Sequence, residues 1–435
     1  MPSHLIFVSL FLGIASGKQP VDLQADATVK SIRILLAGKD VALLTRSPWH
    51  AEIDLGLELI PRELEAIGYD ENNNEVGRAS QIFNLPRPGA EVEIALQYGE
   101  AFPTAAQLHW RNLEYSNPKS AKITFDGIPL KVGSDFRAQF PRTDWMHPHV
   151  IAAEMKFADG MTVRREIVIG GATFSDTARA ELTPVLLTET SSQQPASYDD
   201  CLSLDGAPVR TAAVEKQDAL VIFVRDPDPR EAVRALDPAR RATNPYTRAQ
   251  MRTWAQFDSS VTQQMLWPIA QQFRDPSRRG SSVLFEPSGD IAARAGLMWV
   301  LTFEPNFGRD KSRQYADAVA VAGVRAMTDG RRRAVVFVIS DAYLDTSHNV
   351  AREVRRYLVS IGVPLFVWSV TGQRPELAES WGMVDDISSI GLLRAAVARV
   401  QQTLNAQRIA WVHADPMSAL RIKADERCGV ATVAR

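Results

Sequence analysis

The chain has 435 residues, 45% of them hydrophobic, enough to bury a large core and too many for one ordinary domain, so two or three domains are expected. Its 49 Lys and Arg stand against 51 Asp and Glu, a net charge of −2. That balance excludes non-specific electrostatic attraction to nucleic acid or to an anionic membrane surface as the basis of function.

The chain opens with an apolar run from Leu5 to Ile14, followed by the small residues Ala15, Ser16 and Gly17, although no Lys or Arg precedes the run. The pattern predicts a signal peptide over residues 1–17 and a mature chain beginning near Lys18. About ten apolar residues fall short of the roughly twenty that span a bilayer, and no other stretch could span. An exported protein, periplasmic or secreted, is therefore expected, with no integral membrane segment beyond the leader. Only two cysteines occur, Cys201 and Cys428. In an oxidising compartment an even count is consistent with one bridge; two unrelated free thiols are the alternative.

From Thr28 to Gly171 apolar and polar residues alternate, and turn signals recur at Ala37-Gly38, Asn72-Asn73-Asn74, Asp126-Gly127 and Asp159-Gly160. The expectation is all-β structure. Two stretches, starting at Ile32 and at Ala121, run alike: strand, Gly turn, strand, Pro-bearing loop, alternating strand (Glu63 to Tyr69; Val150 to Phe157), polar turn and final strand. They imply two tandem β-sandwich modules of immunoglobulin-like type, over residues 28–88 and 90–175. Trp49, Trp110 and Trp145 fall inside them and read as core aromatics. Residues 176–216, rich in Ser, Thr, Gln and Pro around Gln193-Gln194-Pro195, read as a linker.

Beyond the linker the pattern changes. Ala219 to Val224 is a wholly apolar strand, and Thr247 to Phe273 reads as a long helix through Met251, Trp254, Phe257, Val261, Met265 and Ile269. Short strands are expected at Ser282 to Phe285 and Leu297 to Phe303, and a helix at Gln314 to Met327. The most informative stretch follows: a strand Ala334 to Ile339, an amphipathic helix Asn349 to Ile361, and a strand Pro364 to Val370. Strand, helix and strand of this kind form a right-handed crossover in a parallel sheet. An edge strand at Met383 to Ile387 and a helix at Ile390 to Gln407 complete a three-layer α/β domain over residues 217–410, with a tail from 411 to 435. Ligands of such sheets bind outside the carboxyl ends of the strands, which points to Asp341 after VVFVIS.

The order of elements, with Asp226 ending the first strand and Ser340-Asp341 a later one, resembles a von Willebrand factor type A domain. A leader, paired immunoglobulin-like modules and a C-terminal domain of this type are similar to the von Willebrand A-related exported proteins of bacteria. The resemblance implies a multidomain chain whose last domain is Rossmann-like. It also implies that Cys201 and Cys428 are joined, because the start of the first strand and the end of the last helix emerge on one side of an A-type sheet.

Domains of this type commonly hold Mg²⁺ or Mn²⁺ through an Asp-x-Ser-x-Ser loop, a Thr and a second Asp, leaving a position for a partner's carboxylate. In this sequence the first loop reads Asp226-Pro227-Asp228-Pro229-Arg230. Asp226 and Asp341 match the pattern, Asp228 and Arg230 replace its two hydroxyls, and Ser312 lies near the place of the Thr. Asp226, Asp228, Arg230, Ser312 and Asp341 thus form a degenerate adhesion site, in which Asp226 and Asp341 are the metal ligands if Mg or Mn binds at all. A guanidinium beside two carboxylates replaces much of what the ion does electrostatically, so no cofactor is expected.

Other groupings carry less. His147-Pro148-His149 has no third ligand nearby and reads as surface polar residues; Asp345-Thr346-Ser347 reads as a cap on the helix at Asn349; Arg331-Arg332-Arg333 reads as a solvated edge. No phosphate loop, Gly-x-Ser-x-Gly elbow or His-Glu-x-x-His helix is present. The expectation is a non-enzymatic binding or scaffold protein that meets a protein partner at the rim around Asp226 and Asp341. Two other classes stand beside it: a divalent-metal-dependent hydrolase using Asp226, Asp228 and Asp341, and a purely structural envelope protein.

Overall fold

The computed structural model describes residues 5–7, 14–25, 28–85, 90–98, 103–112, 117–145, 147–158, 162–170, 182–191, 198, 200–225, 236, 255–269, 291, 296–302, 313–328, 330–339 and 344–432. Seven strands come first: β1 (Leu5–Phe7), β2 (Lys18–Ala25), β3 (Ser31–Leu36), β4 (Lys39–Leu44), β5 (His50–Asp54), β6 (Arg62–Tyr69) and β7 (Glu75–Phe83). They make two antiparallel sheets, ordered β1-β2-β5 and β4-β3-β6-β7, around a core that includes Leu5, Val21, Ile32, Ile34, Ile53, Leu64 and Phe83.

The next seven, β8 (Ala90–Tyr98), β9 (Pro103–Asn112), β10 (Pro118–Phe125), β11 (Ile128–Pro129), β12 (Arg137–Gln139), β13 (Pro148–Phe157) and β14 (Thr162–Gly170), give sheets ordered β12-β9-β8 and β11-β10-β13-β14. Strand for strand this is the first arrangement again. Both hairpin turns, Ala37-Gly38 (φ 49° and 76°) and Asp126-Gly127 (φ 48° and 79°), hold two consecutive residues at positive φ. That geometry matches the right-handed twist of the strands it joins and suits Gly at the second position. Residues 5–25, expected to lie outside the first module, supply its first hairpin, and Leu5 is buried in its core. A chain cut after Gly17 lacks β1.

Contact density divides the chain into two compact units, residues 1–86 with 182–435, and residues 87–181. The first β-module therefore belongs with the α/β region rather than with its repeat. Leu59, from the β5–β6 loop, packs in one cluster with Tyr357 and Trp381. Asn84 Oδ1 accepts from Ala15 N (2.8 Å) and its Nδ2 donates to Ala15 O (2.9 Å), while Asn84 O accepts from the buried Tyr357 hydroxyl at 2.8 Å. Burial pushes that phenol well above its ordinary range, so it is a donor at every accessible pH. Tyr357→Phe is expected to lower stability by about 1 to 2 kcal/mol, because it strands a buried carbonyl. An unchanged urea midpoint would show that Asn84 O finds another donor.

The segment expected as a linker is folded. β15 (Leu182–Glu189), β16 (Leu202–Leu204), β17 (Ala207–Pro208) and β18 (Thr211–Glu215) join strands from the expected C-terminal tail. The partners are β24 (Gln407–His413), β25 (Lys423–Ala424) and β26 (Val430–Thr432), in sheets ordered β18-β24-β15-β26 and β17-β16-β25. Val185, Leu187, Leu202, Val209, Ala410, Val412 and Ile422 make their shared core. Composition misled here because the Ser, Thr, Gln and Pro around Gln193-Gln194-Pro195, which lies outside the described residues, masked the apolar run Val185-Leu186-Leu187 of β15.

Between these flanks lies a parallel sheet of β19 (Ala219–Arg225), β20 (Val261–Leu266), β21 (Arg332–Ile339), β22 (Leu365–Ser369) and β23 (Val384–Asp386), ordered β20-β19-β21-β22-β23. Taken in chain order that is 2-1-3-4-5, a doubly wound α/β arrangement. Helices α1 (Gly296–Thr302) and α5 (Ile390–Ala406) pack on Val221, Phe223, Val336 and Trp368. On the other face α2 (Tyr315–Thr328), α3 (Ala351–Ser360) and α4 (Ala378–Trp381) pack on Ile222, Val224, Phe337 and Val367. A further short helix, α6 (Pro416–Ala419), belongs to the C-terminal flank.

Three local expectations are corrected. Within the expected helix Thr247 to Phe273, Val261–Leu266 is strand β20, in parallel register with β19. Its Gln263 and Gln264 are buried rather than facing water, and Gln264 Oε1 accepts from Arg325 Nε at 2.9 Å. The expected strand at Leu297 is helix α1, whose buried Leu297, Val300 and Leu301 stand at helical spacing; short apolar runs do not by themselves distinguish the two. Arg332 and Arg333 begin β21 and are buried, not solvated. Arg333 is 1% exposed and donates through Nε to Gly362 O at the end of α3, while Arg332 Nη1 donates to Leu404 O near the end of α5. Both guanidiniums meet helix C-termini, where carbonyls carry partial negative charge. Burial still pulls the Arg333 guanidinium down to about 10.

Candidate functional site

The carboxyl edge of the parallel sheet is where the sequence pointed. β19 and β21 are adjacent, with Arg225 beside Val338, and Ile339 of β21 pairs with Ser369 of β22. Asp226 follows β19 directly in the chain, and Asp341 comes two residues after Ile339. Asp226, Asp228, Arg230, Ser312 and Asp341 all lie outside the described residues. The described part of this edge is the platform from which they leave.

That platform carries polar groups the sequence reading did not weigh. Arg225 ends an otherwise apolar strand, is buried, and holds its guanidinium carbon 5.1 Å from the Trp267 ring centroid, a cation–π contact. Its sign was legible in the lone charge closing a six-residue apolar run. Ser369, at the end of β22, is fully buried, and among the described residues neither its Oγ nor the buried Trp368 Nε1 has a hydrogen-bond partner.

Loop 344–349, which follows the Asp341 segment, is fastened to the start of α2. Asp345 accepts from Tyr315 N (2.9 Å), Ala316 N (3.2 Å), Ser347 N (3.0 Å) and Ser347 Oγ (2.5 Å). It therefore caps α2, thirty residues earlier, and not the helix that follows it; Val350 at the start of α3 makes no side-chain cap. Asp317, 6% exposed in the first turn of α2, accepts from His348 N (2.8 Å), Asn349 N (3.0 Å) and Asn349 Nδ2 (2.7 Å). Ser16 Oγ of the first β-module donates to Asn349 Oδ1 at 2.8 Å. One chain of hydrogen bonds thus runs from the β-module to the loop beside the candidate site.

The five residues named for an ion cannot be placed against one another, since all lie outside the described residues. Among the described residues no group of three His, Cys, Asp or Glu is placed to hold a metal. The predicted bridge is formed: Cys201 and Cys428 are joined, with Cα atoms 5.8 Å apart. It links β16 to the turn before β26, so the bridge lies in the flanking sheets rather than across the ends of the parallel sheet.

No known family matches the sequence, and no curated protein matches it. Among solved structures the chain is similar to fibronectin(III)-like modules of Clostridium thermocellum CbhA, with 12% identity over 18% of this chain and 92% of that one, at a TM-score of 0.17. It is also similar to the central fibronectin-III array of RIM-binding protein (10% identity, 46% and 82% covered, TM-score 0.23). A third is proximal thread matrix protein 1 of the mussel byssus (13% identity, 48% and 50% covered, TM-score 0.26). None of these assigns the chain to a family.

Proposed function

We propose that the protein is an exported binding or scaffold protein whose α/β domain, of von Willebrand A type, meets a protein partner at the carboxyl edge of its sheet. The residues assigned to that contact are Asp226, Asp228, Arg230, Ser312 and Asp341. The observation that carries the reading is the adjacency of β19 and β21, which sends the Asp226 and Asp341 segments out from neighbouring strands of one edge. The braced loop 344–349 supports it, because a docking surface gains affinity when its elements are ordered before the partner arrives. Export is supported by a bridge of the kind that persists in oxidising compartments.

In this reading the contact needs no metal. Isothermal titration with Mg²⁺ and with Mn²⁺ is expected to show no saturable binding below millimolar concentration, whereas Asp228→Ser combined with Arg230→Ser is expected to create it. Micromolar affinity in the native protein would overturn the degenerate-site assignment. Metal-dependent hydrolysis lost in Asp226→Ala and Asp341→Ala would favour the hydrolase instead. A pull-down from the native secretome, with Asp226→Ala and Asp341→Ala as controls, tests the contact itself. Equal capture by all three proteins would place the partner surface elsewhere.

A further inference from the structure

The second β-module holds a titratable side chain that the proposed function does not use. His147 and His149 were both expected at the surface, but only His147 is; His149, in β13, is 9% exposed. Its Nδ1 lies 2.7 Å from Asp126 Oδ2 in the β10–β11 turn, and its Nε2 lies 3.0 Å from the carbonyl oxygen of Asp144, in the connection from β12 to β13. A carboxylate and a carbonyl can only accept, so both contacts are hydrogen bonds only if both ring nitrogens carry protons. A neutral imidazole has one. The ring also packs against Phe125 (centroids 4.9 Å apart) and Trp145 (5.4 Å), aromatic neighbours of the kind that attract a cation.

We infer that His149 is a proton-dependent clamp: as an imidazolium it ties the β12–β13 connection to the β10–β11 turn, and that connection loosens when the ring becomes neutral. Among the described residues the charged groups that face the ring are Asp126, from the turn, and Asp144, from the connection. His147 Nε2 sits 3.7 Å from Asp144 Oδ2 and belongs to the same connection. Asp126 is held below the usual carboxylate range, first by His149 and then by Val150 N, which donates to its Oδ1 at 2.8 Å. It therefore stays an acceptor across the range in which the histidine titrates. Burial by itself lowers the imidazole, but the hydrogen bonds to Asp126 and to Asp144 outweigh it and hold His149 above its ordinary value.

The sign follows from that shift. A histidine raised in the folded state contributes stability that is complete below about pH 6.5 and is lost as pH climbs through the raised folded value. Nδ1 faces the carboxylate, so the proton leaves from Nε2 to solvent. Asp144 O then faces a ring lone pair, and Thr143 Oγ1, 3.3 Å from Nε2, is the group that can turn its hydroxyl to donate there. The released connection contains Arg142, a trypsin site.

Long-range ¹H–¹⁵N NMR of the full chain tests the clamp, with the His149 signal identified by its loss in His149→Gln. Both ring nitrogens are expected to be protonated near pH 6, with a titration midpoint above that of a free imidazole. Tryptic cleavage after Arg142 is expected to rise several-fold from pH 6 to pH 9 relative to cuts elsewhere in the chain. The rise should be steeper in Thr143→Val and flat in His149→Gln. A singly protonated ring at pH 6, a midpoint at or below the free value, or Arg142 cleavage that tracks the other sites overturns the inference. If His149→Gln does not fold, the native signal can be assigned through its proximity to Trp145, and its titration decides.

Discussion

Cys201→Ser, Cys428→Ser and the double variant are each expected to lose about 4 to 5 kcal/mol of stability relative to the oxidised protein. The bridge spans a sequence separation of 227, and closing so long a loop removes much of the entropy of the unfolded chain. It serves a sheet of short strands: β16, β17 and β25 have two or three residues each, with Asp425 N donating to Cys201 O at 2.8 Å beside the bridge. Urea unfolding of native protein with and without reductant, beside the Ser variants, measures the effect. Coincident midpoints for oxidised and reduced protein would show that the unfolded chain is already held together by other means.

Asp317→Ala is expected to cost about 3 kcal/mol, because three donors (His348 N, Asn349 N and Asn349 Nδ2) lose a nearly buried acceptor at once. The local effect should be sharper than the global one. Amide exchange at His348 and Asn349 is expected to accelerate by about a hundred-fold, the ratio that corresponds to about 2.8 kcal/mol of local opening. Ser16→Ala removes only the contact from the β-module and should leave both amides protected. Rapid exchange in Ser16→Ala equal to that in Asp317→Ala would show that the β-module, and not α2, holds the loop. Unchanged protection in Asp317→Ala would remove the brace from the docking argument.

What could be read from the residues was local or periodic. Continuous apolar runs marked β19, β21 and β22, because a strand covered on both faces has no polar side. Helical spacing marked α2, α3 and α5, and paired glycine turns marked the two β-modules as copies. Cys201 and Cys428 had only each other to pair with. The strands that lead to the candidate site, β19 and β21, were legible, and the hydrogen bonds that brace loop 344–349 were not.

Tertiary structure decided whatever depended on a partner distant in the chain. Residues 182–215 carry a linker's composition, yet they are strands because residues 407–432 supply the other half of their sheets. Arg332 and Arg333 look like a solvated edge, yet they are buried because carbonyls at the ends of α3 and α5 come to meet them. Asp345 caps a helix thirty residues behind it, and His149 is buried between a turn and a loop that only the sandwich brings together. Periodicity reports which face of an element is apolar, since that depends on the element alone. The fate of a polar group depends on which donors and acceptors the fold delivers to it, and those come from elsewhere in the sequence.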